Sequence, residues 1–351
     1  MKELNESSQL ANGDVTVLVT GIGGFLGGHI ARQLLAKGYS VRGSVRHNRL
    51  RDTIKDQVCP DLAVDGPRIS FFEADLRADA GWDAAVAGCS YVIHAASPFP
   101  ANLPKDEDDL IRPARDGALR VLRAAQRAGV KRVVMTSSIA ATNHGSGQAP
   151  YTEDDWTDPT SPRATPYYKS KTLAERAAWA FARETGLDLA VINPGIVFGP
   201  LLGPDYGTSV GLIQQMMSGK LKRVPRFGVA VVDVRDVADA HIRAMTHPAA
   251  SGQRFIAAGK FFWMRDMAAA LLNAFPAYAS QLPSGEVPNW MVRMIAPFSA
   301  RSRMIVHELD RDLSVSAAKA TRVLGWQPRP EREAICASAQ SLIDHGLIAA
   351  L

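Results

Sequence analysis

The order of apolar and polar positions divides the first part of the chain into short apolar runs separated by longer segments of helical period. Val15-Thr16-Val17-Leu18-Val19 is apolar and β-branched, and it reads as a strand. It runs into Thr20-Gly21-Ile22-Gly23-Gly24-Phe25-Leu26-Gly27-Gly28. A helical pattern with Ile30, Leu34 and Leu35 follows and closes at Gly38. Residues 39–45, 69–74, 91–97, 132–136 and 189–192 repeat the strand signal, and helical segments separate most of them. Six strands alternating with helices predict a parallel sheet covered on both faces, a doubly wound α/β fold. From Gly199 the alternation fails. Helices are expected near 211–218, 235–245, 264–273, 290–295, 316–324 and 331–343, with extended segments at 229–234 and 254–256. This predicts a main domain over residues 12–200, to which 229–258 returns. A smaller C-terminal substrate-binding lobe would comprise 201–228 and 259–351.

Composition narrows the class. Of 351 residues, 46% are hydrophobic and 21% charged, which is ordinary for a soluble chain. The net charge of +5 comes from scattered arginines rather than a run, so nucleic-acid binding is not expected. Cys59, Cys89 and Cys336 have neither metal-ligand nor redox spacing, so no metal is expected. Free thiols suit a reducing cytoplasm. Residues 1–12 are polar without an apolar core, and no signal peptide is expected. No apolar run approaches the ~20 residues of a membrane span.

The candidate chemistry sits where strands end. Glycines at 21, 24 and 27 allow a tight turn and a pyrophosphate resting on helix N-terminal amides. Such a turn also occurs without a ligand, so the loop alone does not establish a cofactor. Strand two ends in Arg46, and no carboxylate stands there. An acid would bond the ribose hydroxyls of NAD, whereas an arginine suits the extra phosphate of NADP. Strand four ends in Ala95-Ala96-Ser97, small residues that a cofactor can approach, while His94 reads as packed core. Tyr167 and Lys171 are four apart, neighbours on one helix face. A nearby cation favours the phenolate, and a tyrosine primed in this way can protonate a carbonyl oxygen as hydride reaches the carbon. Ser138, after strand five, can hold the same oxygen. Gly21, Arg46, Ser97, Ser138 and Pro194 all fall at carboxyl ends of strands, where ligands of such sheets bind. Phe99, Phe198, Leu202, Tyr206, Val210, Phe227, Phe261 and Trp263 are candidates for an apolar substrate pocket.

With Thr20-Gly21-x-x-Gly24-x-x-Gly27, Asp75-Leu76, Thr136-Ser137-Ser138, Tyr167-x-x-x-Lys171 and Asn193-Pro194-Gly195 in this order, the chain resembles the extended short-chain dehydrogenases/reductases over essentially its whole length. It is most similar to the dihydroflavonol reductase and cinnamoyl-CoA reductase branch, and within it to microbial NADPH-dependent aldehyde or carbonyl reductases. The pointers are Val41-Arg42-Gly43-Ser44-Val45-Arg46, the stretch Tyr167-Tyr168-Lys169-Ser170-Lys171-Thr172-Leu173-Ala174-Glu175, and Val232-Asp233-Val234-Arg235-Asp236-Val237-Ala238.

The resemblance implies a Rossmann fold that binds NADPH through Gly21, Gly24, Phe25, Leu26, Gly27, Arg46, Asp75, Leu76, Ala95, Ala96, Ser97, Lys171, Pro194, Gly195 and Val197. It implies Tyr167 as proton donor, Ser138 as the group orienting the carbonyl, and Lys171 lowering the pKa of Tyr167 while binding the nicotinamide ribose. Hydride would come from the B (pro-S) face. Asn143 matches a position that bonds substrate hydroxyls in the flavonoid enzymes, and the His144 beside it is a departure. The expected partner is a small aldehyde or ketone, and the expected assembly a monomer or homodimer. A sugar-nucleotide epimerase or dehydratase would keep the same Ser-Tyr-Lys set, but with NAD and an acid after strand two. A non-catalytic dinucleotide sensor commonly loses the Tyr or Lys.

Overall fold

The computed structural model describes residues 14–60, 68–97 and 106–349. Strand β1 (Thr16–Thr20) leads through the glycine turn into helix α1 (Phe25–Ala36), and the unit repeats. It continues as β2 (Ser40–Val45), α2 (Arg51–Val58), β3 (Ile69–Glu73), α3 (Trp82–Val86), β4 (Tyr91–His94), α4 (Asp108–Arg127), β5 (Arg132–Thr136), α5 (Pro166–Thr185) and β6 (Leu189–Pro194). The later part carries β7 (Ile196–Phe198), α6 (Thr208–Met217), β8 (Val224–Pro225), β9 (Gly228–Asp233), α7 (Val234–Thr246), β10 (Arg254–Ala257) and β11 (Phe261–Trp263). It closes with α8 (Met264–Ala274), β12 (Glu286–Val287), α9 (Asn289–Ile295), α10 (Ala300–Ile305), α11 (Ala318–Leu324) and α12 (Glu331–Asp344).

Seven strands form the main sheet in the order β3-β2-β1-β4-β5-β6-β10, and every pair is parallel. The expected six are joined by β10, which pairs with β6 at the edge. The side-chain alternation of a strand shows in β1. Val17 and Val19 enter the core that also holds Ile30, Leu34, Val237 and Trp326. Leu18 enters the core on the other face, with Trp82, Val121, Leu122 and Ala178. Helices α1 and α7 therefore cover one face, and α3, α4 and α5 the other. Strand order reverses between β1 and β4, and a crevice opens at such a switch point.

A third core, with Phe198, Val210, Met264, Leu271 and Ile335, belongs to the smaller lobe. Its three-stranded sheet runs β11-β9-β7. Residues 228–233 pair with β7 and β11 in this second sheet, while α7 and β10, from the same 229–258 stretch, pack on the main sheet. Ala320, Leu324 and Trp326, expected in the lobe, pack in the core beneath the main sheet. Chain order does not report that packing, because amphipathic helices of equal length suit either core. No helix among the described residues is long and apolar enough to cross a membrane.

Candidate active site

Two cavities lie along the carboxyl edge of the main sheet. The larger, about 710 Å³, is bounded by Gly21, Gly24, Arg46, Asp75, Leu76 and Ser97, among others. The smaller, about 330 Å³, is bounded by Ser138, Tyr167, Pro194, Gly195, Val197 and Phe227, among others.

The glycine loop is built for close approach. Gly21 has φ +67°, which favours glycine, and an added Cβ would stand 3.0 Å from Cα of Ala96 at the end of β4. At Gly27 a Cβ would fall 2.1 Å from the Gly21 carbonyl oxygen. Gly24 precedes α1 and offers no side-chain cap to the first-turn amides. An uncapped helix start against a cradle without side chains fits a pyrophosphate. Arg46 is exposed at the end of β2 on the same cavity. Arg42 faces elsewhere, donating to the Ala87 carbonyl at 2.6 Å behind α3. Asp75 is paired with Arg77, whose hydrogen bonds hold its carboxyl down to about 2, with Arg46 adding a smaller pull in the same direction. Ala95 and Ala96 line this cavity, and Leu26 lines the smaller one. Phe25 stacks edge-on against His29. His94 is buried, with Nδ1 2.8 Å from Thr20 Oγ1.

Helix α5 places the reacting groups. Thr165 caps it, its hydroxyl accepting from the Tyr168 amide, Pro166 occupies its first turn, and Gly186 at φ +71° ends it. Tyr167 thus sits in the first turn and Lys171 one turn later. The Lys171 ammonium donates to Ser97 Oγ at 3.0 Å and lies 5.9 Å from the centre of the Tyr167 ring. Ser138 caps a short 3-10 turn, and its Oγ accepts from the Ala140 amide at 3.1 Å. That leaves its proton for another acceptor. The Ser138 and Tyr167 hydroxyls are hydrogen-bonded to each other.

Burial pushes the Tyr167 phenol up, and the bond from Ser138 opposes that shift. Burial brings Lys171 itself down to about 8, with Glu175 pulling the other way.

A buried network holds the strand ends in place. Glu175, on α5, accepts from Ser137 Oγ at 2.6 Å and Asn193 Nδ2 at 2.8 Å. Asn193 Nδ2 also donates to the Ser138 carbonyl at 3.1 Å. Arg254, from β10, pairs with Glu175 at 2.8 Å. The sequence reading assigned no role to Glu175 or Arg254.

The substrate wall differs from expectation. Phe227 and Asn143 line the smaller cavity. Phe198 and Val210 are fully buried in the lobe core and do not face it. Leu202 packs on Gly28 of α1, Tyr206 is exposed, and Phe261 meets Trp263 edge-to-face; none of these lines either cavity. Phe99 lies outside the described residues. Aromatic character alone does not separate a pocket wall from a core. The structure adds His144, Tyr168, Glu308 and Leu313 to the wall. Glu308 lies in irregular backbone, where no periodicity marks it.

Comparison with known proteins follows the same lines. The model of the NAD dependent epimerase/dehydratase family matches residues 17–258. Cinnamoyl-CoA reductase 1 of Petunia hybrida is 39% identical over 267 residues, 75% of this chain and 78% of that protein. The bifunctional dihydroflavonol 4-reductase/flavanone 4-reductase of Pyrus communis is 30% identical over 343 residues, 94% of this chain and 97% of that one. Among solved structures, yeast methylglyoxal/isovaleraldehyde reductase Gre2 complexed with NADPH superposes with a TM-score of 0.78 at 28% identity, covering 95% of this chain and 100% of that one. With the glycine cradle at the switch point and the Ser138–Tyr167 pair beside it, the chain belongs to the NAD dependent epimerase/dehydratase family, the extended short-chain dehydrogenases/reductases, on its reductase side.

Proposed function

We propose that the two cavities hold NADPH and a carbonyl substrate, and that Ser138, Tyr167 and Lys171 catalyse reduction of an aldehyde or ketone to the alcohol. The observation that carries this assignment is the bridge formed by one turn of α5. Tyr167 meets Ser138 in the smaller cavity, while Lys171 reaches Ser97 in the wall of the larger. The chain is an NADPH-dependent oxidoreductase acting on carbonyl groups.

Gly21, Gly24, Phe25, Leu26 and Gly27 would hold the pyrophosphate through backbone amides, and Arg46 the phosphate that distinguishes NADPH from NADH. Asp75 and Leu76 would flank the adenine. Ala95, Ala96, Ser97, Pro194, Gly195 and Val197 would bound the nicotinamide end. Bound NADPH supplies a hydride to the carbonyl carbon. Ser138, whose oxygen already accepts from Ala140, donates to the carbonyl oxygen and orients it. Tyr167 gives that oxygen its phenolic proton. Lys171, held by Ser97, lowers the cost of the phenolate left behind. This reading includes a cytoplasmic setting, supported by the free thiols of Cys59, Cys89 and Cys336.

The cofactor assignment is tested at Arg46. A hydrogen bond to a charged group contributes about 1.5–3 kcal/mol, roughly 10- to 150-fold. Arg46→Ala should raise KM for NADPH by that order and leave NADH nearly unchanged. Equal use of NADH and NADPH by the unmutated enzyme would leave Arg46 as a solvated loop residue.

A further inference from the structure

The smaller cavity has a polar corner that the reduction chemistry does not use. It is formed by Asn143 and His144 after β5, Tyr168 on α5, and Glu308. Hydrogen positions there follow from connectivity. Asn143 Nδ2 lies 3.2 Å from the Leu313 carbonyl oxygen, which can only accept. That bond orients the amide and turns Oδ1 toward His144. His144 Nδ1 is 2.8 Å from Oδ1, so Nδ1 carries the proton. With no second proton on the ring, Nε2 is an acceptor, and it is buried without a hydrogen-bond partner. It stands 3.4 Å from Glu308 Oε1, in side chains only 3% and 4% exposed. Oε1 is an acceptor too, and it already receives the Tyr168 hydroxyl. The Tyr168 ring stacks on the imidazole at 3.9 Å and holds its plane. Two acceptors therefore face each other in the cavity wall with no donor between them, an arrangement that favours any ligand bringing one.

We propose that His144 Nε2 and Glu308 form a subsite for a hydrogen-bond donor on the substrate, a hydroxyl set apart from the reacting carbonyl. The inference deepens the function given above and rests on it. The Asn143 amide is engaged at both ends, by Leu313 and His144, which holds it in place against the imidazole. Tyr168 is a positioning residue that holds the Glu308 carboxylate. A hydroxyl placed in the corner donates into the gap. A methyl ether at the same point brings lone pairs against lone pairs and is rejected.

Benzaldehyde and its 2-, 3- and 4-hydroxy and methoxy derivatives test this, because the rigid ring fixes the distance from carbonyl to substituent. The readout is the ratio of kcat/KM for each hydroxy compound to that of its methoxy partner. At one ring position the ratio should reach about 10-fold or more. E308Q, which presents an amide N–H donor, and H144F, which removes the ring acceptor, should each bring that ratio near one. The ratio is internal to each protein, so a loss of folded enzyme does not move it. Reduction of benzaldehyde with ratios near one at every position in the wild type would overturn the subsite. So would a high ratio that both variants keep. It would mean that the imidazole closes the pair with its own second proton. Failure to reduce any of the aldehydes would instead overturn the carbonyl-reductase reading on which the subsite rests.

Discussion

A buried phenol is a reluctant acid, and at Tyr167 a neighbouring hydroxyl works against that reluctance. The Ser138 hydroxyl opposes the upward push of burial directly. Lys171 lies 5.9 Å from the centre of the Tyr167 ring, and burial has brought its own pKa down to about 8. A group depressed in this way is charged below that value and loses its proton as pH rises through it. The kcat/KM for NADPH, which reports the free enzyme, should therefore be level near neutrality and fall above about pH 8. A profile that stays level to pH 9.5 would mean that the charge on Lys171 is not needed. The four-residue spacing of Tyr167 and Lys171 was legible because it is local. His144 and Glu308 were not read as partners, because one follows β5 and the other lies in irregular backbone after α10. Nothing in either segment names the other.

The strand ends do not hold the site by themselves. Residues from α5, β5, β6 and β10 meet at Glu175, a fully buried carboxylate paired with a nearly buried Arg254. Breaking such a pair by removing one charge costs about 3–5 kcal/mol, because the other is left unpaired. Glu175→Gln should lower stability by that order in urea unfolding. The double variant Glu175→Gln/Arg254→Met should recover part of the loss, since no buried charge then remains. A loss below about 1 kcal/mol for the single variant would show that Arg254 finds water or its other partners sufficient. Most of the main sheet was legible, since its strands are short apolar runs, and β1, β5 and β6 end at a glycine or a small polar residue. β10 was expected as an extended segment in a stretch that returns to the main domain, without its neighbour in the sheet. A short Arg-Phe-Ile-Ala run does not say which strand it joins, and pairing with β6 decides it. In the lobe, an aromatic residue suits a core and a pocket wall equally. Phe198 went to the core and Phe227 to the cavity.

Across the whole molecule, a parallel sheet gathers the ends of β1, β2, β4, β5 and β6 on one edge, and the smaller lobe supplies Phe227 and part of the far wall. One turn of α5 links the two cavities, Tyr167 lining the smaller and Lys171 reaching Ser97 in the wall of the larger, so binding on one side and chemistry on the other depend on Tyr167 and Lys171 being on adjacent turns. The central claim is that Tyr167 delivers the proton while the cofactor site stands independently of it. Its direct test compares the wild type with Tyr167→Phe, following NADPH oxidation with an aldehyde alongside NADPH binding by fluorescence titration. One acid-base group contributes about 10²–10⁴-fold, so kcat should fall by that factor while the Kd for NADPH stays within about 2-fold. A Tyr167→Phe enzyme that keeps its kcat, or loses NADPH binding together with activity, would contradict the account.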